Sequence, residues 1–394
     1  MATSIINSDD GVVSGTSGLK TTGGNDGVLY IQNNGTTAVT VASTGNATFA
    51  QNVAVTGSLS VAGSNISAAN SMGFRNRIIN GDMRIDQRNV GASVAATSSF
   101  PFSVDRWWGY EDGTGSFTMQ RSTTAPTGFT NSVVLTVSSA DTSLGAAEQY
   151  IFNQSIEGLN VSDLGWGTAN AKTVTLSFWV RSSVTGTYPV AVINSASNRS
   201  YVSTYTISSA NTFEYKTITI PGDTSGTWLT DNGIGLMVRF SLGAGSDFQI
   251  TANQWNASYE LTTSSCTNLM ATNGATWYIT GVQLEVGSVA TEFERRPYGT
   301  ELALCQRYYQ YDGSTTPFVG NTTSGSTYGG NVFFRTSMRA APTVTQTHVT
   351  SSGFPGTTPT SSEITTEKFW STKASDGTGN GNFYKMTWVA TAEL

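Results

Sequence analysis

Thr173-Val174-Thr175-Leu176-Ser177-Phe178-Trp179-Val180-Arg181 is a strict alternation: Val174, Leu176, Phe178 and Val180 fall on one side of an extended chain and Trp179 on the other. Successive side chains of a strand point to opposite faces, so a period of two marks a half-buried strand and excludes a helix. The same texture recurs outward from this stretch. Thr212 to Ile220 sets Phe213 and Tyr215, then Ile218 and Ile220, in alternating positions, and Ile234 to Phe240 does so with Ile234, Leu236, Val238 and Phe240. Trp277 to Val286 carries Trp277/Ile279 and then Val282/Leu284/Val286; the phase slips by one at Gly281, which predicts a β-bulge there. Long strands with one apolar face need a second sheet to cover them, about 10 Å away. The span 74–299 is long enough for a single jelly roll.

Composition agrees. The 394 residues include 12% charged and 11% aromatic residues, 42 glycines and a formal net charge of −6. A helical protein needs Ala, Leu, Glu and Lys in bulk, a disordered chain high net charge and few aromatics, and a nucleic-acid binder a basic face. An all-β chain remains, with no nucleic-acid partner expected. No run of about 18 apolar residues occurs, so no membrane insertion is expected. The start, Met-Ala-Thr-Ser-Ile-Ile-Asn-Ser-Asp-Asp, lacks the basic and apolar parts of a signal peptide, which points to synthesis in a cytoplasm. Cys266 and Cys305 are expected to be two buried, reduced thiols.

Residues 1–70 have a different texture. Val28 to Gln32 runs into Asn33-Asn34-Gly35, a hairpin turn because Asn and Gly tolerate positive φ. Val39/Val41, Val53/Val55 and Leu59/Val61 follow as small apolar pairs. Such strands cannot fill a core within one chain, but identical chains wrapped around an axis bury them. The expectation is an attachment segment or stalk that makes a homotrimer, since three chains close short strands without free edges; the alternative is a flexible low-complexity leader. A small-residue linker spans 64–73. Beyond the sandwich, Glu301 to Tyr309 spaces Leu302, Cys305, Tyr308 and Tyr309 as a short helix, and 310–394 returns to Gly/Ser/Thr loops with short strands. The fold class is therefore all-β: a short-stranded N-terminal segment over 1–70, a central β-sandwich jelly roll over 74–299, then a linking helix and small C-terminal β-tip over 300–394.

Several segments carry a resemblance. Asn76 to Arg88 (Asn-Arg-Ile-Ile-Asn-Gly-Asp-Met-Arg-Ile-Asp-Gln-Arg) and Val104-Asp105-Arg106-Trp107 resemble the opening of a jelly-roll module of bacteriophage tail fibres and related virion proteins. Gly281 to Gly287, Phe293 to Gly299 and Leu302 to Tyr309 resemble its closing strand and following helix, while Met338 to Val344 and Thr391-Ala392-Glu393-Leu394 resemble the tip that follows. The resemblance implies a virion protein, a tail fibre that attaches to host-surface glycans and joins other virion proteins through its N-terminal segment; the alternatives are a purely architectural fibre or connector, capsid-decorating or a tail adaptor, and a glycan-degrading tailspike. The module is also similar to the galactose-binding-like carbohydrate-binding modules, which often hold a structural calcium. Asn80-Gly81-Asp82 matches their opening, but the acidic residue before Val282 is missing, so no metal is expected. Asp82 and Glu285 are the carboxylates left to that role; otherwise Asp82 closes a turn and Glu285 pairs with an arginine such as Arg77 or Arg295.

No catalytic residues and no cofactor are expected. His348, the sole histidine, lies in a strand-like run with no nucleophile beside it, and no nucleophile elbow or phosphate loop is visible. Glu292 and Glu294 share a face but precede Arg295-Arg296, which favours ion pairs over glycan cleavage. Sugar binding fits better, because sugars stack on aromatic rings and are fixed by polar side chains. Trp166, Trp228 and Trp255 each sit in Gly/Ser/Asn-rich stretches and are candidates for it; the alternative is that each covers an open end of the sandwich. Trp370 and Tyr384 offer a second aromatic surface in the tip, near the glycine-rich stretches 312–331 and 374–382.

Overall fold

The computed structural model of the chain describes residues 18–21, 29–33, 36–41, 47–49 and 74–394. The chain divides into two compact units, Met1–Ala68 and Ala69–Leu394. In the first, strands β1 (Gly18–Thr21), β2 (Leu29–Asn33), β3 (Thr36–Val41) and β4 (Ala47–Phe49) form one antiparallel sheet in sequence order. The hairpin read from Asn33-Asn34-Gly35 is the β2–β3 pair, with Leu29 opposite Val41 and Ile31 opposite Val39. Phe49, opposite Val39, is 51% exposed. The Val53/Val55 and Leu59/Val61 pairs and the linker 64–73 lie outside the described residues.

The second unit holds the sandwich. Its strands are β5 (Val94–Ala95), β6 (Phe102–Val104), β7 (Trp107–Glu111), β8 (Ser116–Ser122), β9 (Ser132–Ser139), β10 (Gln149–Glu157), β11 (Val174–Ser182), β12 (Gly186–Ile193), β13 (Ser200–Ile207), β14 (Glu214–Ile220), β15 (Ile234–Ala244), β16 (Trp255–Asn256) and β17 (Thr276–Val286). They make two sheets, ordered β16-β13-β12-β15-β10-β7-β6 and β14-β11-β17-β9-β8-β5. Between them lies one core to which every long strand contributes its alternate residues, among them Trp107, Phe152, Phe178, Phe240 and Trp277, each fully buried. The outer face of the first sheet carries a second cluster, Trp108, Ile193, Val202, Met237 and Leu261, roofed by Phe248, Ile250 and Tyr259.

Helix α1 runs Tyr298–Gln306, not Glu301–Tyr309. Pro297 starts it with a preset φ of −52° and no N–H to satisfy. Tyr309 already belongs to the next strand, while Cys305 and Tyr308 are buried with Ile79 and Ile85. The tip consists of β18 (Tyr309–Thr322), β19 (Thr327–Phe333), β20 (Thr343–Ser352), β21 (Thr360–Ser362), β22 (Lys368–Ala374) and β23 (Gly379–Thr391) in two three-stranded sheets, β18-β23-β20 and β19-β22-β21. The stretch 312–331, expected as loops, is mostly strand: Thr315, Phe318 and Val319 find partners on β23, and pairing outweighs the poor strand preference of its glycines. Val332, Phe369, Met386 and Trp388 fill the space between these sheets.

Candidate functional site

The outer face of the second sandwich sheet carries a groove of about 530 Å³ lined by Phe129, Ser177, Trp179, Tyr215, Gly281, Thr291, Glu292, Phe293 and Arg295 among others. Its floor is the expected bulge. Ser177 lies opposite Gln283 and Trp179 opposite Thr280, so Gly281 and Val282 together face Phe178. Gly281 has φ +62°, and a Cβ there would stand 2.7 Å from Phe129 Cζ and 3.1 Å from Trp179 Cδ1. Glycine alone lets both rings close over this point.

Trp179 points outward because Phe178 and Val180 point into the core. Tyr215 is its direct partner across β11 and β14, with ring centroids 5.3 Å apart and planes at 45°; it is 43% exposed. One outward position along β11, Arg181 faces Tyr278 and places its guanidinium 4.9 Å from that ring.

The facing wall is the strap 290–296, held by side chains that β17 also turns outward. Glu285 accepts hydrogen bonds from the Thr291 N–H (2.8 Å), the Thr291 hydroxyl (2.7 Å) and Gln283 Nε2 (2.8 Å). Gln283 Oε1 accepts from the Glu294 N–H at 2.7 Å. The Glu294 carboxylate in turn accepts from the Arg75 and Asn76 N–H groups, both at 3.0 Å, and from Arg296 at 3.2 Å. Pinned in this way, the strap presents Phe293 edge-on to Phe129, 5.2 Å between centroids, and Arg295 over the Phe129 ring at 4.7 Å. An aromatic surface of tilted rings flanked by hydroxyls, a carboxylate and a guanidinium suits a ligand with apolar faces and a polar rim. A second hollow of about 550 Å³, beside Thr204, Thr251 and Ser264, has no aromatic lining.

The tryptophans singled out from sequence lie elsewhere. Trp166, Trp228 and Trp255 meet at one end of the sandwich with edge-to-face contacts, their centroids 4.7 to 5.5 Å apart. Their indole N–H groups donate to the carbonyls of Lys172, Ser225 and Pro221. Trp166 is buried in the main core and the other two are half-buried against it, so the trio closes the end of the sandwich and presents no open ring face on Trp166. Trp370 stands on the outward side of β22, next to the inward Phe369. Tyr384 is fully buried, its hydroxyl donating to the Ser371 carbonyl at 2.9 Å, so it offers no ring to a ligand and shares no surface with Trp370. Its glycine-rich surroundings suggest exposure, but the inward phase of β23 decides its direction.

Other expectations change as well. Glu285 binds Thr291 and Gln283 rather than an arginine, whereas Asp82 lies in a turn closed by the Met83 N–H on the Asn80 carbonyl, as expected, and also pairs with Arg84. Among the described residues no group of three or more His, Cys, Asp or Glu is placed to hold a metal. Both cysteines are free thiols; Cys305 is buried, but Cys266 is only half-buried, beside the Thr263 hydroxyl at 3.2 Å. His348 pairs with Lys373, the ammonium lying 2.9 Å from Nδ1, and burial together with that charge holds the imidazole below its ordinary range. The groove residues that sequence reading passed over are Trp179, Tyr215 and Phe293. The signal was the lone aromatic on the polar side of an alternating strand, Trp179.

No family model and no curated protein matches this chain. Solved structures give slight likenesses. The enzymatically active domain of tailspike protein 4 of bacteriophage CBA120 aligns with 54% of this chain at 13% identity and TM-score 0.30; this chain spans 21% of that one. A putative sugar binding protein of Bacteroides thetaiotaomicron aligns with 54% of this chain and 100% of its own at 12% identity and TM-score 0.31. A family 11 carbohydrate-binding module of Clostridium thermocellum, solved with a mixed-linked tetrasaccharide, covers 48% of this chain and 93% of its own at 14% identity and TM-score 0.26. At these values a shared activity does not follow.

Proposed function

We propose that this chain is a non-catalytic structural protein of a bacteriophage virion, a tail fibre that attaches to host-surface glycans through the outer-face groove. The observation that carries the glycan reading is the Trp179–Tyr215 pair, two large rings turned to solvent on the polar side of a sheet, with Ser177, Thr291 and Glu292 within the same groove. A protein gains nothing in its own core by placing a tryptophan there, whereas sugar C–H faces stack on such rings. The virion assignment is supported by the sequence resemblance of 76–88, 281–299 and 391–394 to tail-fibre modules. Assembly as a homotrimer through 1–70, where other virion proteins would attach, is supported by a single small sheet whose Phe49 is half exposed.

The test is binding of the purified full chain to isolated host envelope polysaccharide, followed by tryptophan fluorescence and calorimetry. Trp179→Ala is expected to weaken binding by about tenfold or more, since one stacked ring contributes on the order of 1–3 kcal/mol. Binding that survives Trp179→Ala and Tyr215→Ala together removes the groove from the reading. Steady release of oligosaccharide in the same assay removes the non-catalytic assignment. Native mass measurement decides the trimer, which a stable monomer of the full chain overturns.

A further inference from the structure

We infer that the groove selects acidic oligosaccharides, with Arg181 and Arg295 as its anion-binding groups. The inference rests on the glycan reading above and adds the charge of the ligand. Several half-buried arginines of this unit meet carboxylates, Arg199 with Asp223 at 2.7 Å and Arg307 with Glu157 at 2.6 Å, while Arg239 meets Asn153 and Tyr259 instead. Among the described residues Arg181 and Arg295 have no ion-pair partner and no side-chain hydrogen bond, and Arg181 Nε is buried without a partner. Both guanidinium groups are held by rings instead, Arg181 over Tyr278 and Arg295 over Phe129. A guanidinium lying on a ring is fixed in orientation while its edge N–H groups stay free, and that edge matches a carboxylate in a bidentate pair. Arg295 stands on the strap that walls the groove, and Arg181 stands outside the groove's lining, one outward position beyond Trp179 on β11, where a ligand that extends past Trp179 meets it.

Glu292 lines the same groove and makes no ion pair with Arg295. A carboxylate there repels an anion beside it and accepts from a pair of neighbouring hydroxyls. The groove therefore describes an oligosaccharide in which carboxylate-bearing units adjoin neutral, hydroxyl-rich units, its rings stacked on Trp179 and Tyr215. In a chain of net charge −6, two unpaired cations on one aromatic face are a local attraction for an anion.

The test uses the full chain against alginate, galacturonan and sialylated oligosaccharides and the carboxyl-reduced, neutral counterpart of each, by calorimetry at low and high salt. Expected is at least one acidic ligand bound about tenfold or more tighter than its reduced counterpart, with the preference falling as salt rises. The double variant Arg181→Gln/Arg295→Gln is expected to lose that preference, so that acidic and reduced ligands bind it alike, and an unchanged cooperative unfolding transition shows that it is folded. Equal binding of acidic and reduced ligands, or an acid preference that survives the double variant, overturns the inference and leaves the glycan reading standing. Absence of binding to every ligand, acidic and neutral, overturns the glycan reading and the inference with it.

Discussion

At Trp179 and Trp166 the same side chain does different work. Trp166 is 7% exposed and packs edge-on to two other indoles, so Trp166→Ala opens a cavity and is expected to cost about 3–5 kcal/mol in denaturant unfolding. Trp179→Ala is expected to cost roughly 1 kcal/mol, because its ring is only partly buried and lies outside the main core, and to show instead in ligand affinity. Gly281→Ala joins the two effects. It forces a left-handed φ of +62° on a residue with a Cβ and pushes Phe129 away, so a loss of about 1–3 kcal/mol and a weakened groove are expected, read by unfolding and by binding. His348 carries the pH dependence of the tip. Its imidazole accepts from Lys373 and is held below the usual value near 6.5, so the unfolded chain takes up a proton before the folded one. The contribution is present above pH ~6.5 and is lost as pH falls below it. Thermal melts should show the fall with acidification, and His348→Gln should flatten it.

At the scale of elements the closing strand β17 organises the site. Its inward row is core, and its outward row, Gln283 and Glu285, holds the strap that carries Phe293 and Arg295. Glu285→Ala leaves Thr291 and Gln283 without their acceptor in a buried place, at an expected cost of about 1–3 kcal/mol. Because the strap then loses its hold at Thr291 while Gln283 and Glu294 still tether its far end, ligand affinity should fall further than stability suggests, which comparing unfolding with calorimetry on one preparation decides. The alternation in 173–181 and the slip at Gly281 are properties of local spacing, so the strand, its bulge and the outward direction of Trp179 can be read from residues alone. That Phe129 arrives over Gly281 and Phe293 packs against Phe129 cannot, since they come from segments far apart in the chain.

At the scale of the whole second unit, the segments that resemble fibre modules meet at one junction. Asn76 accepts from the Leu284 N–H and donates to the Val282 carbonyl, both at 3.0 Å; Gly81 sits so close to Val282 that a Cβ would stand 2.2 Å from its carbonyl oxygen. Asn80 donates through its backbone to Glu301 of α1. Near the last residue of the chain, Glu393 pairs with Arg88 and with Arg106, which is 2% exposed, lies 3.6 Å over Tyr308 and is pulled down to about 10 by burial. Glu393→Ala strands that cation, so a loss of about 3–5 kcal/mol is expected in unfolding, while Glu393→Gln recovers part of it. A chain beginning at Phe74 has this junction and the main core complete and should melt cooperatively in calorimetry.

What the sequence determined by itself is whatever depends on neighbours within a few residues. The strands follow from period-two alternation, the bulge from one slipped phase, the helix from Leu302 and Cys305 after Pro297, and the β2–β3 hairpin from Asn-Gly chemistry. Tertiary structure decided everything that depends on which distant surfaces meet. It buried Tyr384 between two sheets, drew Trp166, Trp228 and Trp255 into one plug, turned the glycine-rich 312–331 into paired strand, and assembled a groove from β11, β14, β17 and a strap. A side chain's direction is a local geometric fact, but its exposure is set by what packs against it, and that partner lies elsewhere in the chain.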